Sequence, residues 1–428
     1  MGSSGCFSGA KGIVEGKIAF DRYEYNFENT NLHDNPNLSD GLEYIGSTQD
    51  KCSVRDVPDL IGTWIERDES TTLDPDSDGT LSAGDIIVTE DSEIRNRDNP
   101  YQSGIVSSWC TVLDRSASSI YCMYSFDLAH GYLVFGGKVG EPSNVAGSSG
   151  CFSGVSAEIA GNMYDDVATY GLSLVPTTPS TQGCFSNRDL RLYWTQTSSF
   201  NDILYGPGAN AGDKLLVDAE IRTYSGVFGR IKGVCTYLPS LARSSEFCTL
   251  SFDFDAGSID VVGQYSKMAI TGTSGCFRGM TGYISGSIAR SGATYRLYQE
   301  TSGPSSSCTR ERFRYRMHET GSDVFFDIDK NGDLSIGDSF LFDSHPVNTP
   351  STSVDSGIAA GVCTLLGERY HAYCLTSFDF PEGQIVTAGY FEYQVVIGGT
   401  GCYSNFRGMF YGRDEGDGSF SYNVVEDL

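Results

Sequence analysis

The chain lacks the features that mark a membrane or nucleic-acid protein. None of its apolar runs reaches the ~18 residues that a spanning helix needs, and the N-terminus has no basic stretch followed by an apolar one. Basic residues are scarce, with 29 Lys and Arg against 55 Asp and Glu and a net charge of −26. Binding to phosphates or anionic lipids needs the opposite balance, so we expect no nucleic acid and no membrane insertion. The expected partners are cations, neutral glycans or protein.

Signatures of catalysis are also missing. No CxxC pair occurs, the five histidines share no metal-ligand spacing, and no Ser/His/Asp or Cys/His set has a suitable local context. We therefore predict no catalytic residue, and a non-enzymatic role is favoured over an enzymatic one.

Helical periodicity is nearly absent. Short alternating or aromatic-rich runs, such as residues 132–135, are separated by Gly, Ser, Asn and Asp roughly every eight to twelve residues. Such spacing is typical of an all-β chain. Many short strands in a small unit indicate a sandwich or a closed barrel, and a barrel is favoured because closure removes exposed edges.

A short phrase recurs along the chain. Ser/Thr-Gly-Cys-Phe/Tyr occurs at 4–7, 149–152, 274–277 and 400–403, and the last three copies lie 125 and 126 residues apart. Ser-Phe-Asp recurs at 125–127, 251–253 and 377–379 with the same step. A period of this length fits one small domain, so the 428 residues are predicted to form tandem modules.

The repeat defines the domain boundaries. We predict modules at 52–175, 184–301 and 308–428, joined by short linkers that contain proline, and a polar linker at 31–51. Residues 1–30 match only the final hairpin of a module. A lone hairpin cannot bury its apolar face or pair its edges, so we expect it to insert into a partner chain, pack on its own first module, or end a longer repetitive precursor. The alternative is that this tail is disordered.

The thirteen cysteines follow the repeat, with four in each module and Cys6 left over as a free or intermolecular thiol. This regularity predicts two disulfides per module and a secreted location or another oxidising lumen. Four cysteines allow three connectivities. The middle two flank a short turn, so cross-strand pairing is the simplest geometry, and the outer two would then join the first strand to the Gly-Cys-Phe phrase. These pairs are Cys110–Cys122, Cys235–Cys248 and Cys363–Cys374 in the middle, and Cys52–Cys151, Cys184–Cys276 and Cys308–Cys402 outside.

Two acidic loops fit the twelve-residue calcium pattern at equivalent places in the first and third modules. Carboxylates at positions 1, 3 and 5 converge on one ion, a glycine at position 6 allows the sharp turn, and positions 7 and 9 contribute a carbonyl and a water-mediated ligand. The predicted ligands are Asp74, Asp76, Asp78, Thr80, Ser82 and Asp85 in one loop, and Asp327, Asp329, Asn331, Asp333, Ser335 and Asp338 in the other.

Position 12 of both loops is Asp where a sensor loop has Glu, and the flanking segments are strands. Without a helix pair to open, we expect two structural calcium ions and no signalling switch. The second module has residues 205–213 at this place and lacks the ligands. A glycosylation sequon at Asn37 is a further candidate site.

The second half of each module reads Cys-Thr-x-Leu, Ser-Phe-Asp and then a Gly-rich phrase, written at 270–282 as ITGTSGCFRGMTG. This order resembles the allene oxide cyclase barrel and the related dirigent proteins. The resemblance covers all three modules and implies three tandem eight-stranded antiparallel β-barrels, each with an interior for a small lipophilic molecule. The cyclase uses a Glu and an Asn on its first strand; here Glu66 offers the carboxylate in the first module, and the other modules have none.

Three functions compete. The favoured one is an extracellular structural protein of calcium- and disulfide-stabilised barrels, which polymerises head to tail through the N-terminal hairpin into a homo-oligomer or filament. A dirigent-like or lipophilic-ligand-binding barrel is the first alternative, and a cyclase or isomerase is the second.

Overall fold

The computed structural model describes residues 12–19, 22–29, 62–66, 71–75, 79–96, 103–113, 119–128, 131–141, 143–152, 157–164, 167–174, 189–194, 201–203, 211–223, 228–239, 246–277, 279–289, 292–300, 314–318, 324–328, 331–348, 356–366, 372–404, 406–414 and 419–426. The chain divides into two units, Met1–Ser53 and Val54–Leu428. In the first unit, β1 (Gly12–Ala19) pairs antiparallel with β2 (Arg22–Asn29) as a two-stranded sheet.

The second unit contains three successive nine-stranded sheets, which we call repeats 1, 2 and 3. Repeat 1 comprises β3 (Gly62–Glu66), β4 (Thr71–Leu73), β5 (Ile86–Asn96), β6 (Ser103–Val112), β7 (Ile120–Leu128), β8 (Gly131–Lys138), β9 (Ser143–Ser148), β10 (Ala157–Tyr164) and β11 (Val167–Leu174). Repeat 2 comprises β12 (Asp189–Trp194), β13 (Asn201–Ile203), β14 (Lys214–Thr223), β15 (Phe228–Tyr237), β16 (Glu246–Phe254), β17 (Gly257–Gln264), β18 (Lys267–Thr273), β19 (Thr281–Ala289) and β20 (Gly292–Glu300). Repeat 3 comprises β21 (Arg314–His318), β22 (Val324–Phe326), β23 (Ser339–Asn348), β24 (Ser356–Leu365), β25 (Ala372–Phe380), β26 (Gly383–Tyr390), β27 (Tyr393–Gly399), β28 (Gly408–Asp414) and β29 (Ser419–Glu426).

All three sheets share one antiparallel topology. In repeat 1 the order is β3-β11-β10-β9-β8-β7-β6-β5-β4, and β3 also pairs with β5. Repeats 2 and 3 have the same order and the equivalent extra pairing, β12 with β14 and β21 with β23. The prediction of an all-β chain with a repeated antiparallel unit is confirmed, and the described residues contain no α-helix.

The recurring Gly-Cys-Phe/Tyr phrase forms a 3-10 turn in each repeat, at Gly150–Phe152, Gly275–Phe277 and Gly401–Tyr403. The turn follows the seventh strand and packs its backbone against the turn before the sixth. Gly275 has φ +55°, and a Cβ there would lie 2.2 Å from the carbonyl oxygen of Ala256. Only glycine adopts this left-handed conformation and allows this approach without strain, which explains why the phrase recurs.

A disulfide joins the fourth and fifth strands of every repeat. The bonds are Cys110–Cys122, Cys235–Cys248 and Cys363–Cys374, with sequence separations of 12, 13 and 11 residues. Each pair sits at directly opposed positions of two neighbouring strands, as the short intervening turn predicts. Closing a loop of this length contributes about 3 kcal/mol to stability in the chain-entropy account.

Both faces of the middle strands are apolar because the repeats have two kinds of core. One face of β14 places Leu215 and Val217 in the interior of repeat 2, whereas the alternate residue Leu216 joins a cluster shared by all three repeats. Repeats 1 and 3 have interiors of their own. We call the shared cluster the central core; it includes Ile86, Val88, Trp109, Val134, Leu216, Val234, Val262, Leu341, Val362 and Val386.

The three repeats form a closed ring around this central core. The seventh strands β9, β18 and β27 contact one another pairwise. Side-chain hydrogen bonds link repeat 1 to repeat 2, repeat 2 to repeat 3, and repeat 3 back to repeat 1. Each repeat therefore contacts the next repeat with one surface and the previous repeat with another. Three such contacts complete the ring.

Candidate functional site

The acidic loop of repeat 3 is folded by its own first carboxylate. Asp327 Oδ2 accepts a hydrogen bond from the backbone N–H of Gly332 at 2.7 Å, and its Oδ1 accepts one from Asn331 N at 3.3 Å. The Asn331 side-chain oxygen accepts from Asp333 N at 2.7 Å, and Gly332 has φ +82°. The first and fifth loop positions thus turn inward around a left-handed glycine at the sixth.

The loop of repeat 1 has the same first-turn bond. Gly79 N donates to Asp74 Oδ2 at 2.7 Å, and Gly79 has φ +74°. A Cβ on Gly79 or Gly332 would meet no atom within 4 Å, so backbone conformation and not crowding explains glycine at both places. The two loops therefore share the turn that a twelve-residue calcium loop requires.

The aspartate at position 12 is buried in all three repeats. Asp85 Oδ2 accepts from Ser82 N at 2.6 Å, and Asp338 Oδ2 accepts from Ser335 N at 2.7 Å. Asp213, the equivalent in the repeat without the other ligands, is also fully buried. Repeat 2 retains this aspartate although it lacks the acidic loop. One role of the aspartate is therefore to stabilise the turn that precedes the third strand.

The remaining predicted ligands are only partly described. Asp76, Asp78 and Asp329 lie outside the described residues, while Thr80, Ser82, Asp333 and Ser335 lie along the loops. Within the described part of the chain, no group of three or more His, Cys, Asp or Glu side chains is arranged to hold a metal ion. The loop turns are therefore described, but the carboxylates at position 3 of both loops and at position 5 of the first loop are not.

Several other predicted residues also fall outside the described part. These are Cys6, Asn37, Cys52, Cys184, Cys308 and the side chains of Glu66 and Cys151. Cys276 and Cys402 are disulfide-bonded.

Aromatic rings fill the repeat interiors. In repeat 3 the Phe378 and Phe410 rings stack with centroids 5.1 Å apart, and Tyr422 packs edge-on against Phe378 at 5.5 Å. In repeat 2, Phe252 and Tyr295 pack at 5.2 Å. These side chains are almost completely buried, so they occupy the space that a lipophilic ligand would need.

A charged cluster lies between repeats 1 and 2. The Lys232 ammonium group, almost fully buried, lies 2.6 Å from Glu141 Oε2 across the junction and 3.4 Å from Asp253 Oδ2 in its own repeat. Lys138 adds a second contact to Glu141 at 3.0 Å. Burial acts to raise the pKa of Glu141, but its hydrogen bonds to the two lysines lower it on balance.

A buried amide–carboxyl pair lies beside this cluster. Asn144 Nδ2 of repeat 1 donates to Asp260 Oδ2 of repeat 2 at 3.0 Å and to Ser258 Oγ at 2.9 Å. Asp260 is 5% exposed, and burial raises its pKa to about 7 even though hydrogen bonds from Ser251 and Asn144 act to lower it. Its negative charge is therefore poorly compensated at neutral pH.

The junction of repeats 2 and 3 uses different pairs. Gln264 Nε2 donates to Asp343 Oδ1 at 3.1 Å, and Lys267 Nζ lies 3.4 Å from Asp379 Oδ1. Burial raises the pKa of Asp379, an effect that Lys267 opposes. One ion pair and one amide–carboxylate hydrogen bond thus replace the charged cluster of the first junction.

The junction of repeats 3 and 1 is built on tyrosine. The Tyr390 hydroxyl donates to Asp91 Oδ1 at 2.6 Å and lies 2.6 Å from Ser107 Oγ. The Tyr132 and Tyr393 rings meet across the junction with centroids 5.5 Å apart. Asp91 has φ +44°, the one non-glycine residue with positive φ in the described part of the chain. The ring is therefore closed by strained backbone and phenol hydrogen bonds.

Sequence reasoning missed the role of the repeated Ser-Phe-Asp aspartates. The recurrence of the phrase alone does not indicate charge pairing, whereas Asp253 and Asp379 lie within ion-pair distance of Lys232 and Lys267, respectively. Burial raises the pKa of Asp127, their equivalent in repeat 1. The junctions could have been recognised from repeat positions at which the three modules have different residues. One such position holds Lys138, Gln264 and Tyr390 in repeats 1, 2 and 3.

Comparisons with known proteins add little. No family model matches the chain, and no curated protein does. One solved structure, a pyocyanin demethylase, matches with 22% sequence identity and a TM-score of 0.23, covering 26% of this chain and 99% of its own. This similarity is too low to indicate that the chain shares the fold or the activity of that protein. The described residues include no helix long and apolar enough to cross a membrane.

Proposed function

We propose that the chain is an extracellular structural protein whose three repeats are closed eight-stranded barrels of the allene oxide cyclase and dirigent type. The observation that carries this proposal is the closed ring of repeats, built from three chemically different junctions around one central core. Such an architecture favours rigidity, because each repeat is held by two neighbours. The order of the repeats is also fixed, since each junction matches only one pair of surfaces.

The barrel assignment is supported by strand pairing. In every repeat the first strand pairs with the last and also with the third, so that eight strands follow one another around a cycle and the short second strand lies outside it. A sheet whose ends pair in this way has no open edge. An extracellular location is supported by the disulfides, since such bonds persist in oxidising compartments.

Aromatic packing disfavours the two alternatives. Rings such as Phe378, Phe410 and Tyr422 occupy the interior where a dirigent-like barrel would hold its ligand. A cyclase would need the same space and a polar pair on the first strand, of which the sequence offers one member in one repeat.

Calcium is proposed at the two acidic loops. The donor set of carboxylate, amide and carbonyl oxygens is the one that a hard cation prefers, and Asp74 and Asp327 already accept the bond that folds the turn. The ion would compensate carboxylates that a chain of net charge −26 otherwise leaves in mutual repulsion. Repeat 2 lacks this donor set, so it serves as an internal control that is expected to bind no calcium.

We expect isothermal titration to detect two calcium sites with Kd on the order of 10⁻⁴ M. Asp74→Asn and Asp327→Asn should each remove one site, because each takes away the carboxylate at the first position. Chelation should lower the thermal midpoint of the unchanged chain by several degrees, since a ligand that binds only the folded state stabilises it.

The matched control is Asp255→Asn, which removes one carboxylate from an exposed turn of repeat 2 and should retain both sites. A third site in repeat 2, or equal binding by the wild type and the Asp74→Asn/Asp327→Asn double variant, would contradict the assignment.

Self-association is proposed through the N-terminal hairpin. β1 and β2 form a two-stranded sheet in which each described strand pairs on one side, and such edges accept a further strand. A contact of this kind between one copy and the next is heterologous, because it joins two different surfaces. It builds a filament unless the rotation between successive copies closes them into a ring.

Analytical ultracentrifugation should show oligomers that grow with concentration for the full chain, and a single small species for a variant lacking residues 1–30. The deletion leaves the three repeats intact, so the circular dichroism of the variant should retain its β-sheet signal. A full chain that stays monomeric at every concentration tested would refute this step and leave the calcium result unaffected.

A further inference from the structure

A small cavity lies where the three repeats meet. Its wall includes Trp109 of repeat 1, Lys214 and Thr236 of repeat 2, and Ile328 and Ser339 of repeat 3. The space holds about one water-sized particle. The remaining lining is apolar, so hydrogen-bond partners inside the cavity are few.

Two residues of the cavity wall carry buried donors that have no hydrogen-bond partner. Lys214 is 4% exposed and its Nζ makes no hydrogen bond, and Trp109 is 9% exposed and its Nε1 makes none. The Lys214 Nζ atom lies 5.1 Å from the centre of the Trp109 ring. Leaving a buried donor unpaired is unfavourable, and more so when the donor is charged, so two such donors in one cavity wall indicate a missing acceptor.

The cavity also lacks negative charge. Lys214 is the one ionisable group among its lining residues, and burial alone lowers its pKa to about 7, with no carboxylate contributing. A buried ammonium group is tolerated when it is paired. The Trp109 ring is in cation–π contact with the ammonium group, but no anionic group of the cavity wall pairs with it.

Comparison of the repeats shows that the amine is not needed for packing. Lys214 follows the Gly-Asp turn of repeat 2, and the equivalent residues are Ile86 and Ser339. Ile86 is 1% exposed and packs in the central core as an ordinary apolar side chain. The equivalent place in repeat 1 therefore holds an aliphatic residue, so a lysine is not a general requirement of this position.

We propose that the cavity binds a halide ion, chloride in an extracellular setting, held by the Lys214 ammonium group with the Trp109 indole N–H as a second donor. A space for about one small particle suits a monatomic ion better than the larger sulfate and phosphate ions. A water molecule would accept from the donors but would leave the ammonium charge uncompensated.

The direct test is crystallography of the full chain in sodium bromide. An anomalous difference peak is expected between Lys214 and Trp109 in the wild type and is not expected in Lys214→Met. Trp109→Phe keeps the ring and removes the N–H, so its peak should be weaker. An empty cavity in the wild type, or bromide peaks at the surface only, which would mean an adventitious ion only, would overturn the proposal.

A solution test needs no crystal. The thermal midpoint of the wild type should be about 3–5 °C higher in sodium chloride than in sodium gluconate of equal ionic strength, because a bound ion stabilises the folded state. Lys214→Met should show no such difference, and in gluconate it should be more stable than the wild type. Arg407→Met, which removes a positive charge from an exposed site, is the control and should keep the chloride effect.

An equal midpoint for the wild type in the two salts would overturn the proposal. So would a chloride effect that persists undiminished in Lys214→Met, since the ion would then act elsewhere.

Discussion

Replacing Asp260 by asparagine is expected to stabilise the folded chain at pH 8 by about 4 kcal/mol and to change its stability at pH 4 very little. Burial raises the pKa of Asp260 from 3.8 to about 7, a difference of about three units at 1.36 kcal/mol each. The groups around it include the Asn144 amide, the Ser251 and Ser258 hydroxyls, the Tyr121 phenol and the Asp253 carboxylate. The last of these adds repulsion.

The direction follows from proton linkage. Between pH 4 and pH 7 the folded chain holds a proton on Asp260 that the unfolded chain has released, so this group's contribution to stability falls as pH rises through that window. Asparagine resembles the protonated acid in shape and carries no charge at any pH. The Asn144 side chain can turn its oxygen toward the new amide, so the hydrogen bond across the junction is preserved.

Urea unfolding of wild type and Asp260→Asn at pH 4, 6 and 8 measures the effect, and the difference between the two chains removes contributions from all other acids. The exposed Asp255→Asn variant is the control and should follow the wild type. A loss of stability in Asp260→Asn at pH 8 would show that the ionised carboxylate is stabilised in the junction.

The local features of the fold were predictable because their causes lie close together in sequence. Cys235 and Cys248 flank one turn, so strand pairing alone brings them together. The Gly-Cys-Phe phrase recurs because Gly275 needs a left-handed backbone at a close contact with Ala256. Alternation of residues along short strands predicted the all-β class for the same reason.

The ring was not predictable in the same way. Its contacts join residues such as Asn144 and Asp260 or Asp91 and Tyr390, which are separated by 116 and 299 positions. A search for residues that recur in every module does not find the junction residues, because each junction is formed by different residue types. The double-sided burial of strands such as β14 follows from the central core, and composition alone does not distinguish that core from a barrel interior.

The centre of the ring depends on one glycine from each repeat. Gly147, Gly272 and Gly398 occupy equivalent positions of β9, β18 and β27, two residues before the 3-10 turn phrase. A Cβ on Gly147 would lie 2.6 Å from Ile397 Cγ2 in repeat 3, and one on Gly398 would lie 2.9 Å from the carbonyl oxygen of Ile270 in repeat 2. Glycine is needed at these positions because a side chain would prevent the close approach of β9, β18 and β27.

Gly147→Val is therefore expected to cost at least about 3 kcal/mol, the upper end of ordinary overpacking, because its Cβ would also lie 2.9 Å from the backbone oxygen of Val396. Backbone cannot rotate away as a side chain does, so β9 and β27 must separate. Gly147→Ala should lie between the wild type and the valine variant in urea unfolding. Loss of packing should also increase hydrogen exchange on the facing strands β18 and β27.

The control is Gly140→Ala, where φ is +82° and an added Cβ meets nothing within 4 Å. Its cost of about 1 kcal/mol should come from the left-handed backbone alone and should leave exchange in β18 and β27 unchanged. If Gly147→Val proves no worse than this control, the three seventh strands do not pack as closely as the glycines require. The repeats would then be independent modules, and the central core would not be the element that unites them.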